Sequence, residues 1–562
     1  MCKRRQRTIR KKISLCLVLI MLMTMVLSAC GTTGNINLFA EGEPEFIIVR
    51  SAEASNEERE AANELRQTIV DTLGVKVTYK PDTVNHEDGQ LEIVLGQTNR
   101  PHTEEVYKEL ASEKENNGLD YIIQQKGDYI YIMGMTQIAL KDAIQYFCDT
   151  FLTDTNGKVE ENYKYVYNYK SENGEFAIAG NKDLSSYRIV TPRYNMSYLV
   201  GREVTPLSTE LLYATGCEIP VVMDNETPAE YEIIIDNCDR EGIPETSDAD
   251  AYFIKVSGNK IYLGGGSNEA IAMAVRKFTE MVKSGKALEA SADITGSYAT
   301  DIKGYENEYT LTLADEFDTI DTKLWKIYDG PYSNGAKKED DLLKTYFSAD
   351  PKNLYTEDGV LYLKTTKETD RYNGVEMRTE NSVWFKYGFI EVSAKISSTS
   401  GQLGAFWLLG NAAQNYHSEI DVFEGTKNYV RATPLSWVGG AVEGAGSGTY
   451  YCGWDGDPKT DPYLYFDGDD MREEFHTYGV EWTEDHITWV YDGREFLTIN
   501  TTVDDRAKAT FNGPQQIILT QYGGCNIINS GYPDETTDWD NAFLALDYMR
   551  LYQLPGQELT KR

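Results

Sequence analysis

Two textures of hydrophobic spacing divide the chain. Between about 44 and 300, apolar residues recur with helical period in 57–73, 138–151 and 268–281. Between these stretches stand short apolar runs such as Leu91–Leu95 and Ile130–Met133, which predict strands. From about 304 to the end the helical period fades. Short alternating runs separated by Gly, Asn and Asp replace it, the spacing of an all-β sandwich.

The first texture repeats itself. Leu91-Glu92-Ile93-Val94-Leu95-Gly96-Gln97-Thr98-Asn99-Arg100 matches Tyr231-Glu232-Ile233-Ile234-Ile235-Asp236-Asn237-Cys238-Asp239-Arg240, and Gly127–Gly134 matches Gly258–Gly265. Each copy continues into a helix, Ile138–Phe151 in one and Asn268–Met281 in the other. An earlier helix, Glu57–Leu73, stops at Gly74 and feeds the strand Val75–Tyr79. Its counterpart is expected over Pro206–Thr215, stopping at Gly216 before Glu218–Met223. The expectation is two similar small α+β domains, 44–160 and 186–298, joined by a polar linker over Tyr163–Ala179. They resemble auxiliary domains of bacterial polysaccharide hydrolases of the α-glucuronidase and hexosaminidase types, by pattern alone. A spacer or docking role follows, and His86 and His102 read as solvated loop residues.

The β-patterned part, 304–556, holds the chemistry. Glu419-Ile420-Asp421-Val422-Phe423-Glu424 packs three carboxylates into one strand-like stretch. Alternation puts Glu419 and Asp421 on one face and would put Glu424 on the other. A β-bulge around Phe423 would return Glu424 to its partners. Like charges so close repel, and the chemistry that uses such a pair is glycosidic cleavage, with one carboxylate nucleophile and one protonated acid. A retaining enzyme needs the two about 5–5.5 Å apart, which strand neighbours can supply. A solvated acidic edge or a calcium site would fit less well, because Ile420, Val422, Phe423 and the upstream Phe406-Trp407-Leu408-Leu409 imply a buried sheet.

The N-terminus reads as an address. Lys3-Arg4-Arg5 through Lys11-Lys12 form a basic region and Ile13–Leu27 an apolar one, followed by Leu27-Ser28-Ala29-Cys30. Residues 1–30 resemble a bacterial lipoprotein signal with Cys30 as the lipidated residue, which implies an extracytoplasmic body tethered to a membrane. The net charge of −35, from 89 acidic against 54 basic residues, excludes a nucleic-acid partner of the basic-face kind. Beyond the signal remain Cys148, Cys217, Cys238, Cys452 and Cys525, without metal-ligand spacing. In an exported chain Cys217–Cys238 and Cys452–Cys525 are candidate disulfides, with Cys148 a buried thiol.

From Leu311 to Tyr552 the chain resembles glycoside hydrolase family 16, the β-jelly-roll enzymes that include laminarinases, lichenases, agarases and carrageenases. The matching pieces run in family order: Ala314–Asp318, Leu324-Trp325, Glu376–Thr379, Phe385–Val392, Gly404–Gly410, Glu419–Glu424, Phe475–Trp482 and Leu546–Tyr552. The resemblance implies Glu419 as nucleophile, Glu424 as acid/base and Asp421 as the group between them that holds their pKa values apart. The spacing before Glu424 is the bulged variant of the laminarinase and galactan-hydrolase branches.

Candidate sugar contacts are Glu376 and Arg378 (otherwise a cross-strand ion pair) and Trp407 (otherwise a core Trp). His417 (otherwise a satisfied histidine), Trp454 and Trp539 complete the set. Glu316 and Asp547 match the region where relatives hold a structural calcium; catalysis itself needs no cofactor. Two departures, Leu403-Gly404 in place of Trp-Pro and Ser436 in place of a His, touch substrate binding rather than bond cleavage. The expected substrate is a neutral polysaccharide cut internally, β-1,3- or mixed β-1,3/1,4-glucan first and a β-galactan second. Transglycosylation by the same intermediate and a non-catalytic glycan-binding lipoprotein are the other readings.

Overall fold

The computed structural model describes residues 34–561 except 112–116, 155–156, 172–175, 306, 332–344, 370, 397–398, 411–415, 427–429, 439–448, 452–462, 465–472, 503–504 and 525–532. Cys30, Trp454, Cys452 and Cys525 lie outside the described residues. The chain forms two compact units, 1–170 and 171–562.

The first unit contains a six-stranded mixed sheet with helices. Its elements are β1 (Phe46–Arg50), α1 (Asn56–Leu73), β2 (Tyr79–Pro81), β3 (Leu91–Leu95), α2 (Thr103–Leu110), β4 (Tyr121–Lys126), β5 (Tyr129–Gly134), α3 (Gln137–Phe147) and β6 (Lys164–Tyr167). The strand order is β2-β1-β3-β5-β4-β6, with β2, β1, β3 and β5 parallel, β4 antiparallel to β5, and β6 antiparallel to β4. A capping box at Ser55 and Glu58 starts α1, and Gly74 stops it in the left-handed conformation that glycine adopts without strain. Lys164–Tyr167, expected as linker, is the sheet's edge strand, because its alternate tyrosines stack on Tyr121 and Tyr146.

The second unit opens with the same design. β7 (Arg188–Thr191), α4 (Tyr198–Thr215), β8 (Val221–Met223), β9 (Glu232–Ile235), β10 (Ala251–Ser257), β11 (Lys260–Gly265), α5 (Asn268–Lys283) and β12 (Asp293–Ser297) give the order β8-β7-β9-β11-β10-β12. Position for position this is the order of the first sheet.

The duplication extends to a buried polar cassette. Arg100 Nε donates to Glu92 (2.6 Å) and Arg240 Nε to Glu232 (3.3 Å), both glutamates fully buried at the start of the central parallel strand. Each guanidinium also donates to two loop carbonyls, of Asp82 and Val84 in one copy and of Asp224 and Glu226 in the other. Buried charge is tolerated only when paired and fully hydrogen-bonded, which is why the Glu-to-Arg spacing of eight residues survives in both copies.

Three expectations are corrected here. Helix α4 begins at Tyr198, not Pro206; the proline sits mid-helix, tolerated because the face Leu199, Val200, Leu207, Leu211 is buried. Phe176 and Ile178, read as linker, are core residues of the second module, and Ile178 is bridged to Leu288. Cys217 and Cys238 are both buried. They belong to apolar clusters on opposite sides of the sheet, so no disulfide joins them. Cys148 is a buried thiol, its pKa pushed up to about 12 by burial and then by Asp149.

The remainder is a two-sheet β-sandwich built from β13 (Thr310–Asp315), β14 (Leu354–Glu357), β15 (Val360–Lys364), β16 (Tyr372–Arg378), β17 (Gly388–Ile396), β18 (Gln402–Gly410), β19 (Tyr416–Gly425), β20 (Val430–Val438), β21 (Thr449–Tyr451), β22 (His476–Trp482), β23 (His486–Tyr491), β24 (Arg494–Asn500), β25 (Gln515–Gly523) and β26 (Phe543–Gln553). A backing sheet runs β14-β15-β26-β17-β22-β23-β24, with β13 on β26. The other sheet carries the order β16-β25-β18-β19-β20-β21. Between them lies an apolar core that includes Trp325, Trp482, Trp489, Phe385, Phe406 and Phe423.

The backing sheet is covered on its outer side by the second module. Phe389, Val490 and Tyr552 belong to that module's core, so β17, β23 and β26 are apolar on both faces. At the contact, Ser197 Oγ (2.6 Å) and the Tyr198 backbone N–H (3.1 Å) both donate to the fully buried carboxylate of Glu391. Gly201 faces the carbonyl of Gly493 so closely that a Cβ would lie 2.0 Å from it.

Candidate active site

Strand β19 carries the three acids, and its register shows how they come to share a face. Against β18, Leu409 pairs with Glu419, Trp407 with Asp421, Phe406 with Phe423 and Ala405 with Glu424. Against β20, Asp421 pairs with Thr433 and Glu424 with Arg431. One residue of β19 is therefore extra in both ladders, a β-bulge at Val422. Ile420, Val422 and Phe423 all enter the sandwich core. Glu419 and Glu424 are half-buried and Asp421 is 4% exposed on the opposite face.

Neighbouring strands extend this face. Phe406 and Leu408 of β18, Ile517 and Leu519 of β25, and Val375 and Met377 of β16 point into the core. By alternation Trp407, Thr520, Ile518, Glu376 and Arg378 take the face of the acids. Two rows cross the strands there: Glu376–Thr520–Ala405–Glu424 and Arg378–Ile518–Trp407–Asp421. At a strand spacing of about 4.8 Å, β16 stands roughly 14 Å from β19.

Glu376 and Arg378 do form the ion pair, Nε at 2.8 Å and a terminal nitrogen at 2.6 Å from one carboxylate oxygen. Glu376 is 1% exposed, and among the described residues its second oxygen has no hydrogen-bond partner. Burial pushes its carboxyl up, and the guanidinium of Arg378 opposes the shift. Arg378 lies between the rings of Tyr328 and Trp407, at 4.8 and 5.9 Å. Trp407 donates its indole N–H to Thr520 Oγ1 at 3.0 Å and is half-buried, so its edge is fixed and part of the ring is left open.

Trp539 stacks on Tyr372 (5.6 Å, 10°), which by alternation shares the face of Glu376 and Arg378. Tyr372, Tyr328 and Thr520 were missed in the sequence. The repeat Tyr372-x-Gly374-x-Glu376-x-Arg378 was the signal available for the first. His417 lies on β19 opposite Trp437; its side chain, like Trp454, lies outside the described residues. Ser436 pairs with Ser418, whereas Glu419 pairs with Leu435, so the register positions beside the acids are Leu435, Thr433 and Arg431.

Glu316 forms a two-pronged pair with Arg550 (2.9 and 2.8 Å), and Asp547 is pushed up by burial. Among the described residues no group of three or more His, Cys, Asp or Glu is arranged to hold a metal. His476 is fully buried, its Nδ1 2.7 Å from Asp492 and its ring stacked on Tyr491, a structural role.

Residues 344–542 match the profile described as Glycosyl hydrolases family 16. The C-terminal region thus carries a family 16 glycosidase domain, endo-β-glucanase-like. Glucan endo-1,3-beta-glucosidase A1 of Niallia circulans is 25% identical over 273 residues, 43% of this chain and 38% of that protein. A beta-glucanase of Brevibacillus brevis is 26% identical over 219 residues, 38% of this chain and 71% of that one. The chain spans 38%, 35% and 17% of the length of the first three curated relatives it matches. Among solved structures, the catalytic domain of a laminarinase from Thermotoga petrophila RKU-1 is 25% identical and covers 44% of this chain and all of that one, at a TM-score of 0.35.

Proposed function

We propose that this protein hydrolyses internal β-linkages of a neutral glucan, β-1,3- or mixed β-1,3/1,4-linked, with retention of configuration. The observation that carries this reading is the bulge at Val422, which gathers Glu419, Asp421 and Glu424 on one face beside Trp407. Glu419 attacks the anomeric carbon and forms a glycosyl-enzyme while Glu424 gives its proton to the leaving oxygen; Glu424 then takes a proton from a water whose oxygen bonds the anomeric carbon as the Glu419–sugar bond breaks, which restores both side chains. Asp421, almost buried between them, holds the two glutamates in different protonation states. Arg378, held by the buried Glu376, and the Tyr372–Trp539 stack supply donors and an aromatic surface for sugars further along the face. The substrate choice draws support from the relatives, one named as a glucan endo-1,3-beta-glucosidase and others as beta-glucanases.

Reducing-sugar release from laminarin, lichenan, agarose and carrageenan, with product sizing, tests the reading. Laminarin or lichenan is expected to be cut to oligosaccharides, and Glu419→Ala to abolish release while glycan binding persists. Release from agarose alone would move the substrate to a β-galactan, and longer products than substrate would indicate transglycosylation. Equal release by wild type and Glu419→Ala would overturn the assignment. A lipid on Cys30, holding the chain outside the cytoplasm, is the second part of the proposal. Metabolic palmitate labelling is expected in wild type and absent in Cys30→Ala.

A further inference from the structure

Trp489 stands on β23 of the backing sheet, the sheet that carries none of the three acids. It is fully buried in the sandwich core, and its indole N–H donates to the backbone carbonyl of Asp421 at 2.8 Å. That carbonyl belongs to the residue immediately before the bulge, where the ladders to both neighbouring strands lose register. A bulge is the weakest point of a ladder, since the extra residue interrupts the regular bonds on either side. Here a donor from the facing sheet reaches across the core to that point.

The next residue, Val490, is anchored in the opposite direction. Neighbouring strand residues face opposite sides, so Trp489 enters the sandwich while Val490 enters the core of the second module, and the adjacent strand β24 bulges opposite them with Phe496 as its extra residue. Beyond Val490, Asp492 accepts from the Asn195 backbone (2.8 Å) and Arg494 donates to Thr191 and Pro192 of that module. The segment that holds Trp489 is thus fixed from the outside.

From this geometry we infer that Trp489 is a positioning residue for the proposed reaction: its indole N–H fixes the β19 bulge that sets Glu424 against Glu419. The inference rests on the hydrolase reading for its activity test and on the fold alone for its exchange test. It assigns a task to the N–H itself, separate from the ring's contribution to the core.

Trp482 provides the control. It is equally buried in the same core, packs on Phe385 and Tyr387, and its indole N–H has no partner among the described residues. In the full chain, each tryptophan is replaced in turn by 3-benzothienylalanine, which keeps the bicyclic ring and puts sulfur in place of the N–H. Trp489→3-benzothienylalanine is expected to lower kcat on laminarin roughly tenfold to a hundredfold, with KM little changed, as for a sub-ångström to ångström misplacement of a reacting group. Amide exchange at Val422–Glu424 is expected to speed up in the same variant. Trp482→3-benzothienylalanine is expected to leave kcat and that exchange as in wild type.

If the two variants have the same kcat and the same exchange at Val422–Glu424, Trp489 is only core packing and the inference is overturned. If wild type cuts no β-linked glycan, the function proposed above fails instead, and the exchange comparison still decides the role of Trp489.

Discussion

The two N-terminal modules share one topology and one buried Glu–Arg cassette, yet their first helices are built for different surroundings. Helix α1 opens with Asn56-Glu57-Glu58-Arg59-Glu60 behind an exposed Ser55 whose capping box satisfies the helix end locally. Helix α4 opens with Tyr198-Leu199-Val200, all buried, behind a Ser197 that donates to Glu391 of the sandwich. Topology is held by the sheet and its cassette, whereas the role of each copy is written in one helical turn. The second module has become part of the catalytic unit, covering a sheet face that alternation would otherwise leave to water.

The comparison can be broken at several points. The largest effect is expected at the cassette. Glu92 has Arg100 as its one cation among the described residues, with the His86 ring 3.2 Å away, whereas Glu232 also meets Arg188 and Lys260 at 2.6 Å. Arg100→Ala is expected to destabilise the first unit by about 3–5 kcal/mol in urea unfolding, the usual cost of orphaning a buried charge. Arg240→Ala should cost the second unit clearly less. Equal losses would show that the added cations do not share the load.

Next comes the docking turn. Tyr198 packs on Phe389 and gives its hydroxyl to Glu495 at 2.6 Å. Tyr198→Ala is expected to remove about 3 kcal/mol or more from the second unit, as for other large buried aromatics, and to leave the first unit's transition unmoved.

Glu391 makes a comparable term depend on pH. Burial raises its carboxyl from 4.5 to about 7, against the opposing pull of Ser197 and Tyr198. A raised acid binds its proton more tightly when folded, so its contribution is fully present below pH 4.5 and is lost as pH rises through 7, about 3 kcal/mol in all. Unfolding of the second unit at a series of pH values should show this decline, and Glu391→Gln should flatten it. A slope unchanged by Glu391→Gln would place the titration elsewhere.

The smallest expected effect lies in the caps. Ser55→Ala loses an exposed cap, roughly 0.5–1 kcal/mol, whereas Ser197→Ala also strips a donor from a buried carboxylate and should cost about 2 kcal/mol.

Much of this was legible in the sequence, for identifiable reasons. The bulge in β19 could be read because two core residues in a row, Val422 and Phe423, separate Asp421 from Glu424. The modules' duplicated order was legible because each strand and helix keeps its own period. Docking was harder, since its signal was diluted: Phe389-Ile390 and Leu551-Tyr552 are apolar on both faces, which in a sandwich strand means cover on both sides. The start of α4 was lost because Pro206 favours a first turn, while burial of the surrounding face lets it stand mid-helix. The Cys217–Cys238 pairing failed because sequence gives no measure of which side of a sheet a side chain takes when the chain crosses between them. Trp489 gave no sign at all, since its partner is a backbone carbonyl 68 residues away.

The central claim is that the bulged row Glu419–Asp421–Glu424 works by double displacement. Proton NMR of the first products released from laminarin tests it most directly, before mutarotation mixes the anomers. The β-anomer is expected to appear first, with the α-anomer growing in later. An initial α-anomer would mean inversion, and would contradict the assignment of Glu419 as nucleophile.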